Sequence, residues 1–340
     1  MIPIVQHSDL APFVANAAVL LEQSLTNGNV ARGKNSNWLR IRIAASCERD
    51  TKQVTLTDSG TAGLIASLLY EQLRASASLT QRKVLVPRLS YAATRTAILH
   101  AGCDPVYLPV DNSGTLDLDC LDEIDTTDVL AIMPVVLWGH ALDWRKIADW
   151  AASRNVAVVL DAAQAWGLKI PEWAADYIVY SFSANKPWPT FNTLGAIITK
   201  QRDASRLQQL LHHGVNAAYP GTRGYAAEDA CAQAMATSIA AIQWQSRQLE
   251  FSYRLLGNMG DVHVVAPAPG RLTNWHKLVL RISGKSALEI SQQQVECKQA
   301  YTYYLDDPST SPSLYQIPTR GTLTDEEQDH IVSVLFDVLG

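Results

Sequence analysis

The sequence predicts an α/β fold: a mainly parallel sheet covered by helices on both faces, followed by a smaller α+β domain. Three observations point there. Short β-rich runs alternate with helical runs between about residues 54 and 199. One run, Leu130–Leu137, is apolar throughout, as a strand buried on both faces is. Beyond about residue 200 the alternation gives way to long helical patterns. The 340 residues suit two domains. The expected division is an N-terminal segment plus large α/β domain over residues 1–210 and a small α+β domain over 211–340.

Val54–Thr57 is the first candidate strand. Thr61–Arg74 follows as a helix with Leu64, Ile65, Leu68, Leu69 and Leu73 on one side. Val84–Pro87 reads as a strand and Ala92–His100 as a helix. Val106–Val110 and Leu130–Leu137 are the next strands, Asp143–Arg154 a helix, and Val156–Asp161 a strand. Tyr177–Ser183 and Ala196–Thr199 complete the set. Further on, Ala226–Leu256 is one long helical pattern, Ala266–Arg271 a break, and Leu278–Ser283 a short strand. Thr324 with Glu327 makes a capping box opening a last helix, with Ile331, Val334, Leu335 and Val338 on one face. In such a sheet, ligands bind at the carboxyl ends of the strands.

Composition excludes several classes. With 47% hydrophobic and 18% charged residues the chain is not disordered. The formal charge of −5, without a long run of either sign, gives no footprint for a nucleic-acid backbone. The longest apolar run, Val129–Trp138, falls short of the roughly 20 residues that cross a bilayer. The opening MIPIVQHSDL lacks the basic region of a signal peptide. Five scattered cysteines without a CxxC pair read as reduced thiols, so a cytoplasmic protein with no disulfide frame and no metal site is expected.

Two motifs are decoys. Gly28–Lys34 spells GxxxxGK, but Asn35 stands where a phosphate loop needs Ser or Thr for magnesium, and helix precedes it where a strand should. The pair His212–His213 lacks ligand partners at useful spacing and reads as loop or helix-end polarity.

Other residues carry more. Asp58-Ser59-Gly60-Thr61-Ala62 lies between a strand and a helix, where backbone N–H groups reach a phosphate and Thr61 adds a hydroxyl. Alone, such a run is usually only a cap. Asp161 ends VAVVLD on the functional rim of the sheet and is followed by Ala-Ala-Gln164-Ala; the small residues around Asp161 let a flat ring approach the backbone. Taken singly, a cap or loop salt bridge explains Asp161 better. Lys186 follows a strand in Tyr180–Pro187; held against apolar surroundings, a lysine becomes a neutral nucleophile, although most lysines are solvated. The set changes the odds: the turn at Gly60, aromatic Tyr91, Asp161, Ser181 and Lys186 all sit at strand ends.

These residues resemble the DegT/DnrJ/EryC1/StrS sugar aminotransferases, which are fold-type-I pyridoxal-phosphate enzymes. The resemblance rests on Ser-Gly-Thr-Ala at 59–62, Val-Pro-Arg-Leu-Ser-Tyr-Ala-Ala-Thr at 86–94 and Ala-Gly-Cys-Asp-Pro-Val at 101–106. Leu-Trp-Gly-His at 137–140, Asp-Ala-Ala-Gln-Ala at 161–165 and Ser-Phe-Ser-Ala-Asn-Lys at 181–186 complete it. It runs from about Ile2 to Leu255 and returns at Ile317–Leu339. It implies that Lys186 forms a Schiff base (aldimine) with pyridoxal 5′-phosphate and shuttles a proton, and that Asp161 pairs with the pyridine nitrogen. Gln164 would contact the phenolic-oxygen side and Tyr91 the ring face. Gly60, Thr61, Ala62 and Ser181 would hold the phosphate.

The family also implies a homodimer with sites at the subunit interface, a small-molecule amino donor, usually glutamate, and a keto-sugar acceptor. Three departures modify this. Ala226 replaces an asparagine that reaches the partner subunit's phosphate in the family; residues 189–194 replace a glycine-rich stretch; and residues 284–316 look shortened. A pyridoxal-phosphate-dependent aminotransferase is the leading expectation. A sugar dehydratase is a rival that Lys186 disfavours, since those relatives carry histidine there. A non-catalytic, cofactor-binding regulatory paralogue is the other, motivated by Ala226.

Overall fold

The computed structural model describes residues 1–4, 6–26, 33–75, 82–213, 224–259, 264–300, 303–307 and 313–339. Two helices come first, α1 (Val14–Leu25) and α2 (Lys34–Ser46). Then come β1 (Val54–Thr57), α3 (Gly60–Arg74), β2 (Lys83–Pro87), β3 (Leu89–Ser90), α4 (Ala92–His100) and β4 (Asp104–Leu108). The chain continues through β5 (Val129–Ile132), α5 (Trp144–Ser153), β6 (Ala157–Asp161), β7 (Tyr177–Ser181), β8 (Gly195–Thr199) and α6 (Gln201–Leu211). The remainder is α7 (Glu228–Met259), β9 (Leu278–Arg281), α8 (Gly284–Gln292), β10 (Lys298–Gln299), β11 (Tyr303–Tyr304), β12 (Leu314–Ile317) and α9 (Asp325–Leu339).

Seven strands form the central sheet in the order β1-β8-β7-β6-β5-β2-β4. The pairs from β7 through β6, β5 and β2 to β4 are parallel, as crossover helices demand. The sequence does not reveal that β8 runs antiparallel to both β7 and β1. The reason is connection length: residues 182–194 return the chain beside β7 without a crossover helix. Leu64, Leu68, Ile98 and Leu207 fill one face; Leu39, Ile43, Ile147 and Trp150 fill the other.

The expected strand Leu130–Leu137 is only half right: β5 stops at Ile132. Pro134 has no N–H for a ladder, and its carbonyl accepts from Asp161 N–H at 2.9 Å. The chain then bends over the end of β6 through Trp138 and Gly139, both at positive φ. Thr324 and Glu327 exchange the two hydrogen bonds of the expected capping box, at 3.2 and 2.9 Å.

A second core gathers β9, β12, α8 and α9 around Leu278, Ile290, Ile317 and Ile331. Helix α7 spans both cores: Ala230, Cys231 and Ala234 pack under the large sheet, Phe251 and Leu255 in the second core. A short pairing of β11 with β3 ties the C-terminal part to the edge of the large one. No helix is long and apolar enough to cross a membrane among the described residues.

Of the GxxxxGK decoy, residues 28–32 lie outside the described residues. Gly33 caps α2, and the Glu228 carboxylate accepts the N–H groups of Gly33, Asn35 and Ser36 at 2.7, 3.1 and 2.9 Å. The chain's own anion fills that helix start. His212 follows α6 and stacks on Tyr225, ring centroids 4.3 Å apart.

Candidate active site

Four turns at the carboxyl edge of the sheet build the site. Between β1 and α3, Ser59 Oγ accepts from Ala62 N–H at 3.1 Å and donates to Asp58 Oδ1 at 2.8 Å. The first N–H groups of α3, on Gly60 and Thr61, have no acceptor within the helix and lie at its positive end. Gly60 abuts Ser181, the last residue of β7: a Cβ at position 60 would stand 2.9 Å from Ser181 Cβ. Only glycine lets the helix start approach the strand end this closely.

Asp161 ends β6 and is 6% exposed. Its carboxylate accepts from Thr94 Oγ1 at 2.9 Å and from Ala163 N–H at 3.1 Å. Thr94 Oγ1 also lies 2.9 Å from Ser90 Oγ. Burial pushes the Asp161 pKa up; the two hydrogen bonds and the Lys186 charge pull it down without cancelling the shift. Gln164 Oε1 accepts from Trp138 N–H at 2.8 Å, which fixes the amide plane. Asn274 Nδ2 donates to the carbonyls of Gln164 and Trp166 at 2.9 and 2.8 Å, keying a C-terminal loop against the same turn.

Lys186 sits five residues past β7, its N–H bonded to Ser183 O at 2.9 Å. Burial lowers its pKa, and the Asp161 charge opposes that shift. The altered segment after it is a packed plug. Thr190 Oγ1 donates to Phe182 O at 2.8 Å, Trp188 Nε1 to Ala234 O at 2.9 Å, and Thr237 Oγ1 to Pro189 O at 2.7 Å. Ala226, 4% exposed, belongs to the large core.

A cavity of about 240 Å³ opens between these turns. Gly60, Thr61, Tyr91, Asp161, Gln164, Ser181 and Lys186 all line it; Tyr91, 50% exposed, stands at the start of α4. Ala62 does not: its N–H belongs to Ser59, and its methyl faces Gly224. Sequence reasoning missed Thr94, whose only signal is its spacing of four residues from Ser90 around a helix start.

The residues present fit pyridoxal 5′-phosphate. Two free helix N–H groups and the Ser181 hydroxyl suit a phosphate, small residues at 162 and 163 leave room for a flat ring, and among the described residues the buried carboxylate has no compensating cation other than Lys186.

GDP-perosamine synthase of Escherichia coli O157:H7 is 32% identical over 125 residues, 35% of this chain and 34% of that protein. The 3-oxo-glucose-6-phosphate:glutamate aminotransferase of Bacillus subtilis (strain 168) is 30% identical over 165 residues, 48% of this chain and 36% of that protein. These matches span about a third of each relative's own length. The crystal structure of NtdA from Bacillus subtilis with bound cofactor PMP shares the fold, with a TM-score of 0.85, 19% identity, and coverage of 99% of this chain and 85% of that one. The sequence matches one family over residues 14–336. With its lysine, aspartate and helix start gathered on one cavity, the chain belongs to the DegT/DnrJ/EryC1/StrS aminotransferase family.

Proposed function

We propose that this protein is a pyridoxal-phosphate-dependent aminotransferase carrying an amino group from an amino-acid donor, glutamate first, to a keto group on a sugar or sugar-like acceptor. The observation that carries the reading is Lys186 and Asp161 lining one cavity with the start of α3. When bound, the cofactor supplies an electron sink conjugated with the reacting carbon. Gly60, Thr61 and Ser181 hold its phosphate, and Tyr91 covers the ring. Asp161 keeps the ring nitrogen protonated, and Thr94 keeps Asp161 oriented. Lys186 anchors the cofactor through its amine and then moves a proton to and from the substrate carbon. The names of the two relatives, a perosamine synthase and a sugar-phosphate aminotransferase using glutamate, support the substrate class.

The proposal includes a cytoplasmic homodimer, a nucleotide-linked acceptor as one candidate, and a division at residues 1–210 and 211–340, which the separate core around β9, β12 and α9 supports. Ala226 favours one second reading, a cofactor-binding paralogue without turnover: buried in its own core, it makes no reach toward a partner subunit.

One experiment separates the readings. Excess glutamate, without sugar, should deplete the visible band of the loaded protein and release the matching keto acid, and Lys186→Ala should be inert. Borohydride should fix the cofactor to the peptide bearing Lys186. An intact band after screening all common amino acids would defeat the aminotransferase reading and favour the paralogue.

A further inference from the structure

Lys186 also lines a second cavity, of about 100 Å³, which Asp161 does not line. It is walled by the segment entering β9, by the turn before α9 and by the N-terminal residues Gln6 and Asp9. Gln248 Nε2 braces two of these walls, donating to Trp275 O and His276 O at 2.8 Å each and to Thr319 Oγ1 at 3.3 Å.

Two cations face this space. Lys277, half-buried, has neither ion pair nor side-chain hydrogen bond among the described residues. The charges it feels, Lys186 and Lys298, are both positive. Lys298 already pairs with Glu296 at 2.8 Å. Arg320 also lines the cavity. Its Nη2 donates to Gln6 Oε1 at 2.8 Å, and Asp9 and Glu327 lie at 3.8 and 3.5 Å. Even so, Arg320 Nε and Nη1 are buried without a hydrogen-bond acceptor. Buried donors without acceptors and a lysine surrounded by like charge are both costly. The expense is recovered when an anion enters. His276, which also lines the cavity, is held neutral by burial and by its lysine neighbours, so it contributes a polar wall without adding charge.

We propose that Lys277 and Arg320 form an oxyanion subsite that takes the acidic end group of a substrate while its reacting carbon lies at Lys186. The assignment of that anion to a substrate rests on the aminotransferase reading. Size limits the ligand: pockets for drug-sized molecules run to about 300–1,000 Å³, so this space takes an end group and not a nucleotide. Two sources share the chemistry, the second carboxylate of a dicarboxylic amino donor and the phosphate ester of a keto-sugar phosphate.

The test uses the protein loaded with pyridoxal 5′-phosphate and two probes that cannot react, glutarate and glucose 6-phosphate, with glucose as the neutral control. Binding is read by calorimetry. At least one anion should bind, glucose should not, and Lys277→Met should weaken that anion tenfold or more while cofactor content stays unchanged. Lys277→Arg should recover most of the affinity. Arg320→Gln should weaken binding similarly; if it unfolds, as its ties to Gln6 and Asp9 allow, the Lys277 pair decides alone. Glutarate binding marks the donor carboxylate, and glucose 6-phosphate binding marks the acceptor phosphate. Failure of both anions to bind, equal binding by Lys277→Met, or cofactor loss in that variant would overturn the subsite. If the anion binds through Lys277 but no amino acid alters the visible band, the subsite stands and the aminotransferase reading falls.

Discussion

Thr94 Oγ1 donates to Asp161 Oδ2 at 2.9 Å, joining the first turn of α4 to the end of β6. The bond crosses 67 residues of sequence and meets a carboxylate that burial pushes toward its neutral form. A hydrogen bond to a charged group contributes about 1.5–3 kcal/mol, so Thr94 biases Asp161 toward the ionised state that a protonated ring nitrogen requires.

Thr94→Val should therefore lower turnover about tenfold to a hundredfold with cofactor still bound, on the scale of 1.4 kcal/mol per factor of ten. Thr94→Ser should restore most of it. The check is single-turnover kinetics with glutamate beside a cofactor titration. Normal rates in Thr94→Val would remove the hydroxyl from the mechanism.

Gly60→Ala tests the phosphate end. The added Cβ meets Ser181 Cβ at 2.9 Å, so the helix start must back away from β7. Overpacking of this kind costs about 1–3 kcal/mol. Cofactor dissociation should rise tenfold or more, measured by dialysis and absorbance, while far-ultraviolet circular dichroism stays unchanged. Unaltered cofactor affinity would argue that the phosphate sits elsewhere.

The strand ends were legible because period and position coincide there. Val54–Thr57 and Ala92–His100 match their expected bounds, and seven of the eight proposed site residues line one cavity. Hidden features are those with no local signature. Nothing in Gly195–Thr199 tells parallel from antiparallel, since both directions bury the same apolar residues. Pro134 is the one cue that β5 ends early, and an apolar run on either side of it masks the stop. Lys277 and Arg320 share a cavity with Lys186 only through the tertiary fold, a juxtaposition that pattern within a window of residues does not encode.

Glu228 gives a stability prediction with a definite pH sign. Burial pushes its pKa up, but hydrogen bonds from Ser36, Ser24 and Gly33 more than offset this and hold it below the ordinary glutamate range. A lowered native pKa adds stability above the unfolded value, about 4.3, and that stability fades as pH falls through the native value. Glu228→Gln should cost about 2–3 kcal/mol at pH 7. The gap to wild type should narrow as pH falls below the unfolded value toward the lower native one, where the native carboxyl protonates too. Denaturant midpoints at pH 7, 5 and 3.5 decide it; a gap independent of pH would show that charge has no part in capping α2.

After Lys186 the chain runs Pro187-Trp188-Pro189-Thr190-Phe191. Trp188 is 2% exposed, with its ring 4.8 Å from Trp166 and 5.1 Å from Phe182, and its Nε1 bonded to Ala234 O. It thereby fastens the backbone two residues beyond Lys186 to α7. Trp188→Ala should destabilise by about 3–5 kcal/mol, the usual cost of emptying a large aromatic site. Trp188→Phe keeps the ring but loses the N–H, and should cost about 1 kcal/mol through the lost hydrogen bond, since Ala234 O still accepts from Thr237 Oγ1 at 3.2 Å. The informative readout is positional. If this packing holds Lys186 at the cavity, borohydride labelling of Lys186 in Trp188→Phe should proceed at nearly the wild-type rate. In Trp188→Ala, measured below its own melting temperature, it should be several-fold slower. Equal labelling in both variants would mean that the turn around Ser183 alone positions the lysine.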